Sequence, residues 1–234
     1  AGKSQVLIDI NISVKKNECI AIIGESGNGK STLGQILQKF YPFENGTIII
    51  NNQVNLPDIK TESWRNILGV VPQDITIFGG NVITNILLGE EDILENIVKF
   101  CQDYGFEDFI NSLPQNYTTI LGEEGINLSG GQKQVIALMR ALYKKPKVLL
   151  LDEFTSAMDR KTEQFVLKLL NNLKSELTII FISHRLYSLQ KIANRIYVLE
   201  NGIISDFGNH EKLMKSENFY SEFWNELEIE KRIK

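Results

Sequence analysis

Gly24, Gly29, Lys30 and Ser31 stand in the order G-x-x-x-x-G-K-[ST], inside the run Gly24, Glu25, Ser26, Gly27, Asn28, Gly29, Lys30, Ser31, Thr32. Glycines at this spacing let the backbone wrap closely, so that successive N–H groups point at phosphate oxygens. The apolar run Cys19–Ile23 before it reads as a short buried strand. Leu33, Ile36, Leu37 and Phe40 after it recur at helical spacing. The N-terminus of that helix adds partial positive charge at the same point. Lys30 is placed to reach the β- and γ-phosphates of a nucleoside triphosphate, and the Ser31 hydroxyl to coordinate Mg²⁺.

A second glycine-rich stretch, Leu128-Ser129-Gly130-Gly131-Gln132, lies about a hundred residues on, ahead of the helical pattern Val135, Leu138, Met139, Leu142. It offers a hydroxyl, free N–H groups and another helix N-terminus. A nucleotide has one triphosphate. A chain with two such cradles fills one itself and offers the other to a partner's nucleotide.

Val148–Leu151 is an apolar run bounded by Pro146 and the pair Asp152-Glu153, as expected of a central parallel strand buried on both faces. Asp152 then falls in the crevice where open α/β sheets bind ligands, and can hold Mg²⁺ through water. Glu153, one residue further, can orient the water that attacks the γ-phosphate and accept its proton. An acidic pair after a strand is by itself a common loop start; the phosphate loop in the same chain gives this one its role. His184 follows a second apolar strand, Thr178–Ile182, on the same rim, and can donate a hydrogen bond to the γ-phosphate. His210 reads as the start of a surface helix and has no chemical role.

The order phosphate loop, Gln73, LSGGQ, LLLDE, SAMD, His184 resembles the nucleotide-binding domain of ATP-binding-cassette (ABC) transporters, from about Val6 to Phe223. VVPQDITIF around Gln73, and Thr119–Gly125 before LSGGQ, are similar to the exporter form. The general look of the chain is similar to bacterial peptide and bacteriocin exporters.

The resemblance implies an α/β fold: a P-loop NTPase core with a parallel sheet, an N-terminal antiparallel β subdomain and a helical subdomain carrying LSGGQ. It implies catalytic roles for Glu153, His184 and Gln73, and Mg²⁺ held by Ser31, Gln73 and Asp152. ATP would be bound by the phosphate loop, and Ser129, Gly130, Gly131 and Gln132 would hold the partner's ATP. Ser156–Asp159 would be the loop that crosses a head-to-tail homodimer interface, with Asp159 at the nucleotide. The residues from Asp74 to Leu88 would form a groove for the transmembrane domains, which are expected upstream in the same full-length chain. The motor of an exporter at the cytoplasmic face of the cell membrane is the implied function. The alternative is a soluble ABC ATPase acting as a nucleotide-switched binding module.

Two positions depart from the pattern. Val135 stands where the family usually has Arg, a difference in packing rather than in phosphate chemistry. The aromatic residue that stacks on adenine would fall upstream of Ala1, so the chain reads as an excised domain with weakened ATP affinity.

Composition agrees with these expectations. The 234 residues fit one domain, with a core at 1–73 and 147–234 and a helical part at about 74–146. A net charge of −4 gives no reason to expect nucleic acid. Cys19 and Cys101 lack metal-ligand spacing and read as reduced thiols. No apolar run approaches the eighteen or so residues of a membrane span, so the chain alone is expected to be soluble. Strands are expected around Gly46–Asn51 and in a hairpin turning at Asn201-Gly202. Helices are expected at Asp92–Tyr104, Phe106–Leu113 and Glu217–Lys234.

Overall fold

The computed structural model describes residues 5–122, 126–184 and 186–233. Its first regular element is β1 (Cys19–Ile23), followed by α1 (Lys30–Leu37), the short pair β2 (Ile49–Ile50) and β3 (Val54–Asn55), α2 (Thr61–Ile67) and β4 (Leu68–Val71). Next come β5 (Gly80–Asn81), α3 (Val82–Leu87), α4 (Leu94–Tyr104), α5 (Glu107–Asn111), β6 (Ile120–Leu121) and the long α6 (Gly130–Tyr143). The chain then alternates through β7 (Val148–Asp152), α7 (Arg160–Leu173), β8 (Thr178–Ser183) and α8 (Leu186–Leu189). It ends in the hairpin β9 (Arg195–Glu200) and β10 (Ile203–Gly208), then α9 (His210–Leu213) and α10 (Phe219–Ile233).

One six-stranded sheet, in the order β10-β9-β1-β8-β7-β4, carries the molecule. All neighbours are parallel except β10, which turns back on β9 at Asn201-Gly202 as the sequence predicts. The apolar runs of β1, β7 and β8 are continuous because both faces of these strands are covered. Successive residues alternate between two cores. Cys19, Ala21, Ile23, Leu149, Leu151, Ile179 and Phe181 face the layer of α6 and α7, whereas Ile20, Ile22, Leu150, Ile180 and Ile182 face the layer of α1. Cys19 and Cys101 are free and buried, and burial pushes their thiols up to about 12 and about 11, so both are inert.

Several sequence expectations are modified. The strand expected over Gly46–Asn51 is reduced to Ile49–Ile50, whose pairing with Val54–Asn55 is the only antiparallel ladder among the described N-terminal residues. Residues 5–14 form no regular strand, although Ile8 N donates to Gly202 O at 2.7 Å. The region between Gln73 and LSGGQ is helical as expected but also contains the β5–β6 pair. The helix expected from Asp92 begins at Leu94, with Ile93 as its N-cap and no side-chain capping bond; just ahead of it the Asp92 carboxylate accepts from Ile93 N and Asn96 Nδ2. The helix expected from Glu217 begins at Phe219, because Asn218 caps it: Asn218 Oδ1 accepts from Ser221 N. His210 does start a helix, and it is half-buried with Nδ1 2.7 Å from the Tyr220 hydroxyl. Within the Thr119–Gly125 stretch, residues 123–125 lie outside the described residues.

Candidate active site

Three neighbouring parallel strands deliver the candidate residues to one edge of the sheet. β1 opens into Gly24, β8 into His184, and β7 ends on Asp152 and continues into Glu153. Their register fixes the alignment: Ile23 pairs with Ser183, and Asp152 with Ile182. This is the carboxyl end of the sheet, where open α/β folds bind ligands.

The phosphate loop fills the gap between β1 and α1. Gly24 passes so close to β9 that a Cβ there would lie 2.1 Å from Leu199 O. Gly29 caps α1 in the left-handed conformation (φ 96°), which lets the loop enter the helix with no side chain over its first N–H groups. Asn28 reaches sideways, donating to Leu199 O at 3.3 Å and accepting from Asn201 N at 3.3 Å, so it fastens the loop to the β9–β10 hairpin. The Lys30 ammonium is buried and donates to the loop's own carbonyls, Gly24 O at 2.8 Å and Glu25 O at 2.9 Å. Burial lowers its pKa, with Glu153 and Asp152 acting the other way. These neutral acceptors are weak partners for a buried cation, and phosphate oxygens at the same place are stronger ones.

Across the cavity, Glu153 adopts a left-handed backbone (φ 48°), uncommon for a residue with a side chain. Its N–H donates to Ile182 O at 2.8 Å. Its carboxylate is 2.8 Å from His184 Nδ1 and accepts from Ser183 Oγ at 3.4 Å. Asp152 Oδ1 is buried without a hydrogen-bond partner among the described residues. Burial and the neighbouring Glu153 charge push the Asp152 pKa up to about 6, against the pull of Lys30. An orphaned carboxylate oxygen is a hard donor of the kind Mg²⁺ takes. No group of three or more His, Cys, Asp or Glu that could hold a metal occurs among the described residues. Mg²⁺ shared with phosphates needs none, because one carboxylate with waters and phosphate oxygens completes its shell.

A cavity of about 420 Å³ gathers Glu25, Ser26, Gly27, Gly29, Lys30, Ser31, Thr32, Gln73, Glu153 and His184, with Val6 closing one side. Gly24 and Asn28 stand behind it, as described. The LSGGQ residues are not part of it. Gly130 instead lines a separate cleft of about 330 Å³ with Gln73, Gln134 and Ser156.

Ser129 and Gln132 form a reciprocal cap on α6: Ser129 Oγ accepts from Gln132 N at 3.2 Å, and Gln132 Oε1 accepts from Ser129 N at 2.8 Å. The serine hydroxyl keeps its own proton free to donate. Gly130 and Gly131 are pressed against Ala157 and Met158; a Cβ on Gly130 would lie 2.6 Å from Ala157 Cβ. Asp159 caps α7, accepting from the N–H groups of Lys161 and Thr162.

Three residues absent from the sequence expectations support the site. Val6 lines the cavity. Gln134 joins α6 to the loop after Glu153. Arg140, most of the way along α6, donates to Asn85 O at 2.9 Å, Thr76 O at 3.1 Å and Asn85 Oδ1 at 3.2 Å. It thereby pins the segment after Gln73 to the signature helix. Burial lowers its pKa. Val135 is buried, 1% exposed, within the core below this helix, which accounts for an apolar residue there.

A parallel α/β sheet with a phosphate loop, a strand-end acidic pair and a histidine on the same rim defines a nucleoside-triphosphatase. The family described as "ABC transporter" matches residues 7–156, and the chain belongs to it. The chain is 36% identical over 225 residues to a putative export ATP-binding/permease protein of Rickettsia bellii, covering 96% of this chain and 39% of that protein. It is 38% identical over 224 residues to a putative multidrug export ATP-binding/permease protein of Staphylococcus aureus, covering 95% and 38%. A bacterial Atm1-family ABC exporter solved with ATP bound superposes with a TM-score of 0.87 at 36% identity, covering 95% of this chain and 39% of that one. The chain thus spans about two fifths of the length of these relatives and carries the ABC ATPase domain.

Proposed function

We propose that this chain is the motor of an exporter, in which two copies pack head to tail around two Mg-ATP and drive movement of transmembrane domains. The observation that carries the reading is a division of labour. The cavity holding Lys30, Glu153 and His184 contains no LSGGQ residue, while Ser129 keeps a donor that its capping role does not use. A two-fold pair places each chain's α6 N-terminus on the other's γ-phosphate and completes both sites at once.

In such a site Lys30 exchanges the carbonyls of Gly24 and Glu25 for β- and γ-phosphate oxygens. Glu153 orients the attacking water and takes its proton, and His184 holds the γ-phosphate. Ser31, Gln73 and Asp152 would hold Mg²⁺, which neutralises charge developing on the phosphates. Asp159 acts from the α7 cap, ordering the loop that crosses to the partner. Residues 74–88 receive the transmembrane domains, and the motor itself sits at the cytoplasmic face of the membrane. Among the described residues no helix is long and apolar enough to cross a membrane.

The names of the relatives speak of export and multidrug export, and lend no support to peptides as the cargo.

The test is the solution mass of Glu153→Gln with and without millimolar Mg-ATP. Doubling that requires ATP is expected, because nucleotide is bound but not turned over. A monomer under both conditions would remove the two-chain site.

A further inference from the structure

Glu153 is held in a left-handed backbone conformation that a glutamate does not choose on its own, so the peptides on either side of it must be restrained from outside. The peptide before it is fixed by Ile182 O, which accepts its N–H at 2.8 Å. The carbonyl after it accepts from Ser156 N at 3.3 Å, within the same turn, and from one side chain, Gln134 Nε2, at 3.5 Å. The same Nε2 donates to Ser156 Oγ at 3.3 Å. Gln134 therefore spans the turn that follows the carboxylate, from the first turns of α6.

Gln134 is 4% exposed, and its Oε1 is buried without a partner among the described residues. For packing alone an amide here is a poor choice: half of it loses water and gains nothing in return. An apolar side chain of the same length would fill the volume at lower cost. What an apolar chain cannot do is donate to Glu153 O and Ser156 Oγ. Ser129 and Gln132, the capping pair of α6, stand on the same helix within two turns of Gln134. Gly130 and Gly131 meanwhile seat that helix directly on Ala157 and Met158. The base and the signature are thus built on one continuous support.

We propose that Gln134 is a positioning residue for Glu153: its amide holds the Glu153 carbonyl and the Ser156 hydroxyl so that the carboxylate stays aimed into the nucleotide cavity. The proposal rests on the ATPase reading of the same site. It differs from a packing role in what it predicts. Removing the amide should slow the chemical step, leave ATP affinity alone and cost no stability.

The experiment is steady-state ATP hydrolysis by this chain, with thermal melting on the same samples. Gln134→Met keeps length and volume and removes the donor; kcat is expected to fall about tenfold, with KM for ATP within about twofold and Tm unchanged or raised. Gln134→Leu, which also removes the donor without burying a charge, is a second variant expected to show the same split. Turnover by both variants within about twofold of the unsubstituted chain would overturn the proposal and leave the ATPase reading intact. A fall in kcat accompanied by lower Tm and higher KM would also overturn it, by showing a scaffold role. If the unsubstituted chain itself fails to hydrolyse ATP, the ATPase reading falls and takes the proposal with it.

Discussion

Glu153 Oε2 and His184 Nδ1 lie 2.8 Å apart, so the proposed general base and the proposed γ-phosphate ligand occupy each other. An ionised carboxylate only accepts hydrogen bonds, so Nδ1 is the donor in this contact. Donation by the same atom to a γ-phosphate therefore needs a turn of the ring away from Glu153.

Lys30→Ala removes the buried cation that now rests on Gly24 O and Glu25 O. Charge-assisted bonds of this kind contribute roughly 1.5–3 kcal/mol each, so two to phosphate correspond to a loss of about a hundredfold or more in ATP affinity. Titration with a fluorescent ATP analogue measures it; a variant that still bound tightly would sink the phosphate-loop assignment.

Asp152 gives a pH signature. Its folded-state pKa of about 6 stands above the ordinary 3.8, so folding holds the proton more tightly than the unfolded chain does. The metal-free protein therefore loses stability as pH rises from about 4 to about 6, and the loss persists above that. Asp152→Asn abolishes that cost. After discounting for solvent screening at a partly exposed group, its gain is on the order of 1 kcal/mol, about 2–4 °C in Tm. The gain should appear at pH 8 in a chelator and vanish at pH 4, while Mg-dependent turnover is lost. Equal melting shifts at both pH values would contradict the buried-charge account.

Ser129→Arg puts a long cation at the mouth of α6, remote from the chain's own cavity. ATP affinity should stay within about twofold, whereas dimerisation and turnover should drop at least about tenfold. Sedimentation of the variant carrying Glu153→Gln as well decides this. An ATP-dependent dimer with Arg in place would refute the exchange of signatures between chains.

The sequence displays the residues whose chemistry depends on local order. The strand–loop–helix around Lys30, the apolar run ending in Asp152, and the Asn201-Gly202 turn are each set by neighbours within ten positions. The catalytic relationships are of another kind. Nothing near Gln134 in sequence announces that its amide meets Glu153, nineteen positions away, and nothing near Arg140 points to Thr76 or Asn85. Gly130 and Gly131 read as ligands for phosphate, and their second duty, yielding space to Ala157 and Met158, becomes visible only in three dimensions. Likewise Ser129, Gln132 and Asp159 are all helix caps as well as candidate ligands, since a short polar side chain at a helix start suits both tasks. The N-terminal strands were the least legible, because their ladders depend on partners that short-range patterns do not encode.

β1 lies between β8 and β9, strands that begin more than 150 residues later. A chain emerging from the ribosome therefore carries its phosphate loop long before the walls of the nucleotide cavity exist. Such non-local pairing is slow to form, and ATP can reward only the last step of it. Nucleotide bound in this cavity can therefore stabilise only a domain whose central sheet is already complete.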